Sequence, residues 1–150
     1  INTKIFINEV KDGEKQNAGS IQLTFFDIFS DKTKQFGFKA VFPSGKVLAC
    51  LGDEPFNEKC RNFVQNCDYL MCEAFCLYSQ KDIFKPYEKF HSTALDAGKL
   101  AESLFAKNLI LYHTEDKTLQ TRKRTYTSEA RTVFNGNIFV PDDFEVIDLK

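Results

Sequence analysis

Four polar residues with side chains suited to metal binding or acid–base chemistry lie at or beyond the ends of apolar segments in this chain. They are Asp53 after VLACLG, Glu73 in CDYLMCEA, His91 in KFHST and His113 at the end of NLILYH. Ligand and catalytic groups of α/β proteins concentrate at the carboxyl ends of strands, because the loops there converge on one edge of the sheet. Two imidazoles and two carboxylates at one edge would bind zinc or transfer protons.

Each of these residues also has an explanation that involves no chemistry. Asp53 stands in GDEPFN, where a turn Asp before a helix is expected. A carboxylate in an apolar strand is costly to bury unless it is paired, so Glu73 needs a partner whatever its role. His91 precedes a Ser-Thr pair that would cap a helix, and His113 would serve equally as a hydrogen-bonded core residue. Spacing alone therefore leaves a metal-dependent hydrolase as one open alternative.

The cysteines are a second candidate metal site. They are Cys50, Cys60, Cys67, Cys72 and Cys76, an odd number in a chain without a secretory signal, which argues against a disulfide framework. From Cys60 onward the gaps are six, four and three residues, whereas structural zinc sites favour two close pairs. We therefore expect buried thiols rather than a metal cluster.

The composition is that of one globular domain. Of 150 residues, 43% are hydrophobic and 27% are charged, which is enough apolar material for a core. The net charge of −1 provides no global basic field, so a nucleic-acid substrate would need a local patch. No apolar run reaches the roughly 18 residues of a transmembrane helix, and no signal peptide is present. We expect a cytoplasmic protein without membrane contact.

Hydrophobic periodicity and turn residues predict the elements that must position these side chains. Strands are predicted over 3–10, 20–28, 35–42, 46–52, 67–74 and 108–113, with two short ones around Pro141. Helices are predicted over 57–66, 92–106 and 122–134, with Asn57 as the first N-cap and Leu95, Leu100, Leu104 and Phe105 as the apolar face of the second. The order indicates an α/β fold in which an antiparallel meander leads into alternating α/β. The helices would cover one face of the sheet.

Three segments, in order, resemble the metallo-β-lactamase superfamily and its ribonuclease Z members. GKVLACLGDEPF is similar to the segment in which a strand ends in Gly-Asp. CEAFC, followed by HST and the helix ALDAGKLAESLFAKNLIL, resembles two ribonuclease Z elements, and LYHTED stands where that family has its last metal-binding His. The similarity covers residues 20–149. It implies that residues 1–150 are the C-terminal half of a metallo-β-lactamase-type αβ/βα sandwich, without the N-terminal half.

The resemblance also implies roles for the four residues. Asp53 would bridge two zinc ions and His113 would ligate the second, whereas Glu73 and His91 would bind no metal. Glu73 would orient His91, which would protonate the leaving oxygen of a cut phosphodiester. The implied activity is that of a zinc-dependent phosphodiesterase or endoribonuclease of the tRNA 3′-processing type, once this half is joined to the other.

The chain departs from the family pattern in three places. The His-x-His-x-Asp-His motif, which holds most of the metal ligands, is absent, and the chain has only two His. The loop DIFSDKTKQFGF has Phe29 or Asp31 where a further metal His is expected, and of these only Asp31 would ligate a metal. LYHTEDK lacks the Ser and Arg-Tyr that usually follow the last His. Two alternatives stay open: a hydrolase of small phosphodiesters or esters, and a non-catalytic binding module.

The expected partner is the missing half of the sandwich. The chain opens on the strand-like IFINEV without an initiating Met, so we expect it to have been cut from something longer. The N-terminal half, or its copy on another chain of a homo-oligomer, would cover the second face of the sheet. The isolated fragment would be inactive, and RNA is the expected substrate of the joined enzyme.

Overall fold

The computed structural model describes residues 6–149, whose strands form a seven-stranded sheet in sequence order. The strands are β1 (Lys15–Ala18), β2 (Ile21–Asp27), β3 (Phe36–Val41), β4 (Val47–Cys50), β5 (Tyr69–Glu73), β6 (Asn108–Tyr112) and β7 (Asn137–Phe139). Strands β1 to β4 pair antiparallel, and strands β4 to β7 pair parallel. The predicted meander that leads into alternating α/β is therefore confirmed.

Short helices connect the parallel strands. They are α1 (Arg61–Val64), α2 (Lys81–Phe84), α3 (Ala94–Ser103) and α4 (Arg122–Arg131), with 3₁₀ turns at Glu58–Cys60, Tyr78–Gln80 and Tyr87–Lys89. The Asn57 side chain accepts a hydrogen bond of 3.1 Å from the Lys59 N–H, which confirms it as an N-cap. Among the described helices, none has the length and apolar character needed to cross a bilayer.

Helix α3 buries only part of the apolar face that the sequence predicted, since Leu100 and Leu104 pack in the core but Phe105 does not. Its buried residues are small: Ala94, Ala97, Gly98 and Ala101. A Cβ added at Gly98 would lie 2.9 Å from the Ala130 carbonyl oxygen, so small side chains allow α3 to approach α4 closely. Of the predicted face, Leu104 is fully buried, whereas Phe105 is 70% exposed beyond the helix end. The prediction was wrong for Phe105. It was based on the spacing of large apolar residues, and that spacing does not show which alanine and glycine residues contact α4.

The larger core lies between the sheet and the helices. It joins Leu70 and Cys72 of β5 and Leu109 and Leu111 of β6 to residues of the helical layer, among them Val64, Ala97, Ala101, Leu104, Tyr126 and Ala130. Alternate residues of a strand point to opposite faces, so one set of strand residues meets the helices. The helices therefore cover one face, as predicted.

The opposite face carries a smaller core without a helix. Leu48, Tyr69 and Ile110 are buried there, and partly buried side chains surround them, among them Phe38, Phe42, Met71, Phe139, Ile147 and Leu149. Within residues 6–149 only the C-terminal tail crosses this face. An apolar face of this extent is typical of an interface.

The predicted strand at 3–10 is not present as such. Residues 3–5 lie outside the described residues, and residues 6–10 form no strand. Phe6 and Ile7 are 80% and 91% exposed, so their apolar side chains lack a surface to pack on. The sheet begins instead at β1, which pairs with β2.

The C-terminal tail contains one strand rather than the predicted two. Strand β7 ends before Pro141, and no strand follows within the described residues. Asp142 instead contacts α4, with carboxylate oxygens 2.9 Å from Arg122 Nη2 and 2.9 Å from Lys123 Nζ. These ion pairs hold the tail against the helix rather than in the sheet.

The cysteines are free thiols, as predicted. Cys60, Cys67, Cys72 and Cys76 are buried, and Cys50 is half-buried. Burial raises the pKa of Cys60 and of Cys67 to about 11 in each case, so both thiols stay protonated at neutral pH.

Candidate active site

Three parallel strands end at the same edge of the sheet and bring the predicted residues together. Gly52 and Asp53 follow β4, Glu73 ends β5 and His113 follows β6. The registers of β4 with β5 and β5 with β6 align these ends, with Glu73 opposite Tyr112. The strand-end placement inferred from the sequence therefore becomes a single cluster in space.

Glu73 and His91 form a hydrogen-bonded pair, as predicted. Glu73 is 2% exposed, and its Oε2 lies 2.6 Å from His91 Nδ1. Its Oε1 accepts a second hydrogen bond of 2.7 Å from the Ser92 N–H. Both carboxylate oxygens therefore have partners, which offsets the cost of burying them.

The segment before α3 fixes the His91 ring. Thr93 caps α3 in a capping box with Asp96, and this sets where the chain enters the helix. The backbone N–H of His91 donates a hydrogen bond of 2.9 Å to the Pro86 carbonyl. The imidazole stacks on Phe75, with ring centroids 4.8 Å apart and an interplanar angle of 23°. With Nδ1 bound to Glu73, the ring keeps Nε2 as its second functional atom.

His113 completes the cluster from a constrained backbone position. Its φ is +53°, in the left-handed region that few non-glycine residues adopt. Its Nδ1 lies 3.6 Å from Glu73 Oε2, and its ring meets His91 edge-on with centroids 4.9 Å apart. The side chain is 39% exposed, so it faces the carboxylate on one side and solvent on the other. Left-handed residues of this kind concentrate at functional sites.

Asp53 lies next to this cluster. It is half-buried, and its charge acts on both Glu73 and His91. Glu73, His91 and His113 each offer one ligand atom within 4.8 Å of the others, so these three also make a donor set for a cation. A metal shared by Asp53 and His113 stays a prediction.

Burial disfavours charge on both members of the central pair. It raises the pKa of Glu73 to about 8, and the charge of Asp53 acts in the same direction. It also lowers the pKa of His91, as does the nearby His113. Lys32 faces both groups, since its charge lowers the pKa of each. Burial therefore favours the protonated carboxyl and the neutral imidazole over a pair of opposite charges.

The loop that lacks the expected metal His lies at the margin of the site. Phe29 has a left-handed φ of +58° and is 39% exposed, with Lys59 Nζ 4.5 Å from its ring centroid. Asp31 is exposed. Neither residue belongs to the donor set around Glu73.

Sequence reasoning missed two supporting residues. Phe75 provides the stacking surface for His91, and Tyr112 ties β6 to the end of β4 by donating its hydroxyl hydrogen bond to the Gly52 carbonyl. Phe75 lies in CEAF and Tyr112 in LYH, close to predicted site residues. Both stand in apolar segments, so the sequence alone did not distinguish them from ordinary core residues.

Relatives of known sequence match part of this chain. Ribonuclease Z of Bacillus cereus (strain AH187) is 32% identical over 98 residues, which are 65% of this chain and 31% of that protein. Ribonuclease Z of Bacillus thuringiensis (strain Al Hakam) gives the same identity and coverage. The chain thus spans about a third of the length of the curated relatives it matches. No family model matches it.

Solved structures resemble the chain over more of its length. The metallo-β-lactamase fold protein YhfI from Bacillus subtilis superposes with a TM-score of 0.71 at 20% identity, covering 88% of this chain and 51% of that one. Human tRNase Z, short form, gives a TM-score of 0.66 at 23% identity, covering 90% and 46%. At such identities the likeness shows the fold. The chain therefore has the metallo-β-lactamase fold, and the predicted resemblance to ribonuclease Z is confirmed over the part of the chain that these relatives match.

Proposed function

We propose that this chain supplies the leaving-group side of a zinc-dependent phosphodiesterase of the tRNA 3′-processing type. The observation that carries the proposal is the 2.6 Å hydrogen bond between buried Glu73 and His91, at the strand edge that also holds His113. The likeness to ribonuclease Z supports a phosphodiester as the substrate. The whole activity belongs to this chain together with the other half of the sandwich.

In this proposal His91 delivers the proton that the leaving oxygen needs. Glu73 holds Nδ1, so the ring has one orientation and presents Nε2 to the substrate. Burial keeps the pKa of Glu73 at about 8, and the pair therefore carries a proton near neutral pH. A positioned acid of this kind contributes about 10²–10⁴-fold to a reaction rate.

The donor set fits zinc in part. Asp53 offers a carboxylate and His113 an imidazole with 39% exposure, and zinc accepts both ligand types. Glu73 is less suited, because both of its oxygens already accept hydrogen bonds. Zinc, when bound, would activate a water and stabilise the charge on the phosphate. A closed zinc site needs about four ligands, so further ligands would come from the other half.

The sheet face without helices is where we place that other half. Phe38, Met71 and Phe139 are only partly buried there, around the fully packed Tyr69 and Ile110. A sheet that is apolar on both faces is typically covered on both. The partner would be the N-terminal half of the same fold, on the same chain or on a second copy.

The test compares two substrates for the intact protein that contains this chain. Zinc-loaded protein should cut a precursor tRNA with a 3′ trailer and should also hydrolyse a nitrophenyl phosphodiester, and chelation should abolish both. Hydrolysis of the small diester alone would favour the alternative of a small-phosphodiester hydrolase. Absence of both activities in folded, zinc-loaded protein would contradict the proposal.

A further inference from the structure

A row of aromatic rings leads outward from the candidate active site. His91 stacks on Phe75, and Phe75 meets Phe84 edge-on with centroids 6.3 Å apart. Phe90, which adjoins His91 in sequence, has a left-handed φ of +58° and is 46% exposed. An exposed ring therefore stands directly beside the imidazole assigned to the leaving group.

Lysines lie over these rings. Lys89 Nζ is 5.3 Å from the Phe75 centroid, and Lys117 Nζ is 5.7 Å from the Phe84 centroid. Lys32 Nζ is 5.7 Å from the Phe90 centroid. A cation–π contact holds an ammonium group in place while its outward N–H groups stay available to an anion.

The charges of these lysines are mostly uncompensated. Lys32 forms an ion pair with buried Glu54 at 3.7 Å. Within residues 6–149, Lys89 and Lys117 form no ion pair. Other lysines, such as Lys85 and Lys107, are paired with carboxylates. The ammonium groups of Lys89 and Lys117 are therefore available to an anionic ligand beside the site.

We propose that Lys32, Lys89, Lys117 and Phe90 form a rim that binds single-stranded nucleic acid beside the scissile bond. The inference rests on the proposed function, because it assigns substrate contacts at the same site. The ammonium groups would contact backbone phosphates, and the Phe90 ring would stack on one base. Only an unpaired base exposes a free face for such stacking, so a single strand is preferred to a duplex.

The electrostatic part is tested with a short labelled single-stranded RNA and zinc-free protein, by fluorescence anisotropy across a range of KCl concentrations. The Lys89→Gln/Lys117→Gln double variant should reduce the slope of log affinity against log salt by about 0.7 for each lost contact. The matched control is Lys15→Gln/Lys99→Gln, which removes the same charge from exposed positions on β1 and α3. This control should keep the original slope.

The stacking part is tested with Phe90→Ala and its matched control Phe105→Ala, which truncates a ring 70% exposed at the far end of α3. Phe90→Ala should weaken single-strand binding on the order of ten-fold, and Phe105→Ala should leave it unchanged. A duplex of the same sequence should bind more weakly than the single strand and should be insensitive to Phe90→Ala.

The inference would be overturned by no RNA binding, by equal slopes for the two lysine double variants, or by equal binding of single strand and duplex. Competition by inorganic polyphosphate as strong as that by RNA, with no effect of Phe90→Ala, would show that only charge is recognised and would also overturn it. Binding needs no hydrolysis, so the expected slopes in a protein that cuts no phosphodiester would reject the proposed function alone.

Discussion

Strand β5 carries a buried carboxylate at each end, and the two have opposite surroundings. Asp68, just before the strand, is 8% exposed and accepts hydrogen bonds from the Val47 N–H at 2.8 Å and from Lys107 Nζ at 2.8 Å. Glu73, at the carboxyl end, is 2% exposed and faces two imidazoles and one backbone N–H. The same strand thus holds one carboxylate among cationic and backbone donors and another among titratable rings.

The comparison shows that the neighbouring groups set the pKa of a buried carboxyl group. Lys107, the largest influence on Asp68, lowers the pKa of that carboxyl and keeps it ionised. At the other end burial outweighs the hydrogen bonds and raises the pKa of Glu73 to about 8. We infer that the Asp68 end stabilises the sheet, whereas the Glu73 end stores a proton for chemistry.

The largest expected effect lies at the Glu73 end. His91→Ala should lower turnover of a natural phosphodiester about 10²–10⁴-fold in the intact enzyme, because the leaving oxygen loses its acid. A nitrophenyl diester should lose much less, since its leaving oxygen hardly needs a proton. Steady-state kinetics on both substrates and zinc analysis of the variant would measure this.

Zinc content is the control for His91→Ala, because His91 is not assigned as a ligand. Equal losses on both substrates, or loss of zinc in the variant, would show that His91 has another role. In that case the donor set of Glu73, His91 and His113 would be the better candidate for a metal site.

Substitutions at the Asp68 end should lower the stability of the fold and leave catalysis unchanged. Asp68→Ala leaves the Val47 N–H without its acceptor and should lower the free energy of unfolding by about 1–3 kcal/mol, measured by denaturant titration. Lys107→Ala should lower the free energy of unfolding less than Asp68→Ala does, because the lysine side chain is 69% exposed and its charge is screened by solvent. A larger loss for Lys107→Ala than for Asp68→Ala would contradict this description.

The pH dependence of stability should have opposite signs at the two ends. The pKa of Glu73 is raised, so its stabilising effect is full below the ordinary value of about 4.3 and is lost as pH rises through about 8. Relative to Glu73→Gln, the native protein should therefore lose up to about 1.4 kcal/mol of unfolding free energy per pH unit in that window.

Asp68→Asn provides the matched comparison for the pH measurement. The pKa of Asp68 is lowered, so its stabilising effect is full above the ordinary Asp value and is lost as pH falls through the lowered one. Denaturant titrations of both variants across pH would show the two signs. The same sign for both would remove the distinction between the ends.

The smallest expected effect concerns Arg122, which links the tail to the loop after His113. Its Nη1 donates to Thr114 Oγ1 at 2.9 Å, and its Nη2 lies 2.9 Å from Asp142 Oδ1. Thr114→Val removes only the first contact and should lower turnover a few-fold while unfolding free energy changes by about 1 kcal/mol or less. Lys123→Gln, which weakens only the tail contact, should leave turnover unchanged.

The sequence by itself determined the order of strands β2 to β7, the N-cap at Asn57 and the strand-end positions of Asp53, Glu73 and His113. These follow from local patterns: the period of apolar residues, turn residues and capping residues. The pairing of Glu73 with an imidazole was also predictable, because a carboxylate inside an apolar strand needs a partner. The approach of His91 could be inferred only with the help of the family resemblance.

The tertiary structure alone decided which contacts those elements make. Alanine and glycine face α4 from α3 because the two helices lie close. The tail contacts Arg122 and Lys123 and forms no further strand, and Phe6 and Ile7 remain exposed. The left-handed backbone of His113 and the raised pKa of Glu73 have the same origin. Both depend on burial and on neighbours distant in sequence, and no local pattern contains that information.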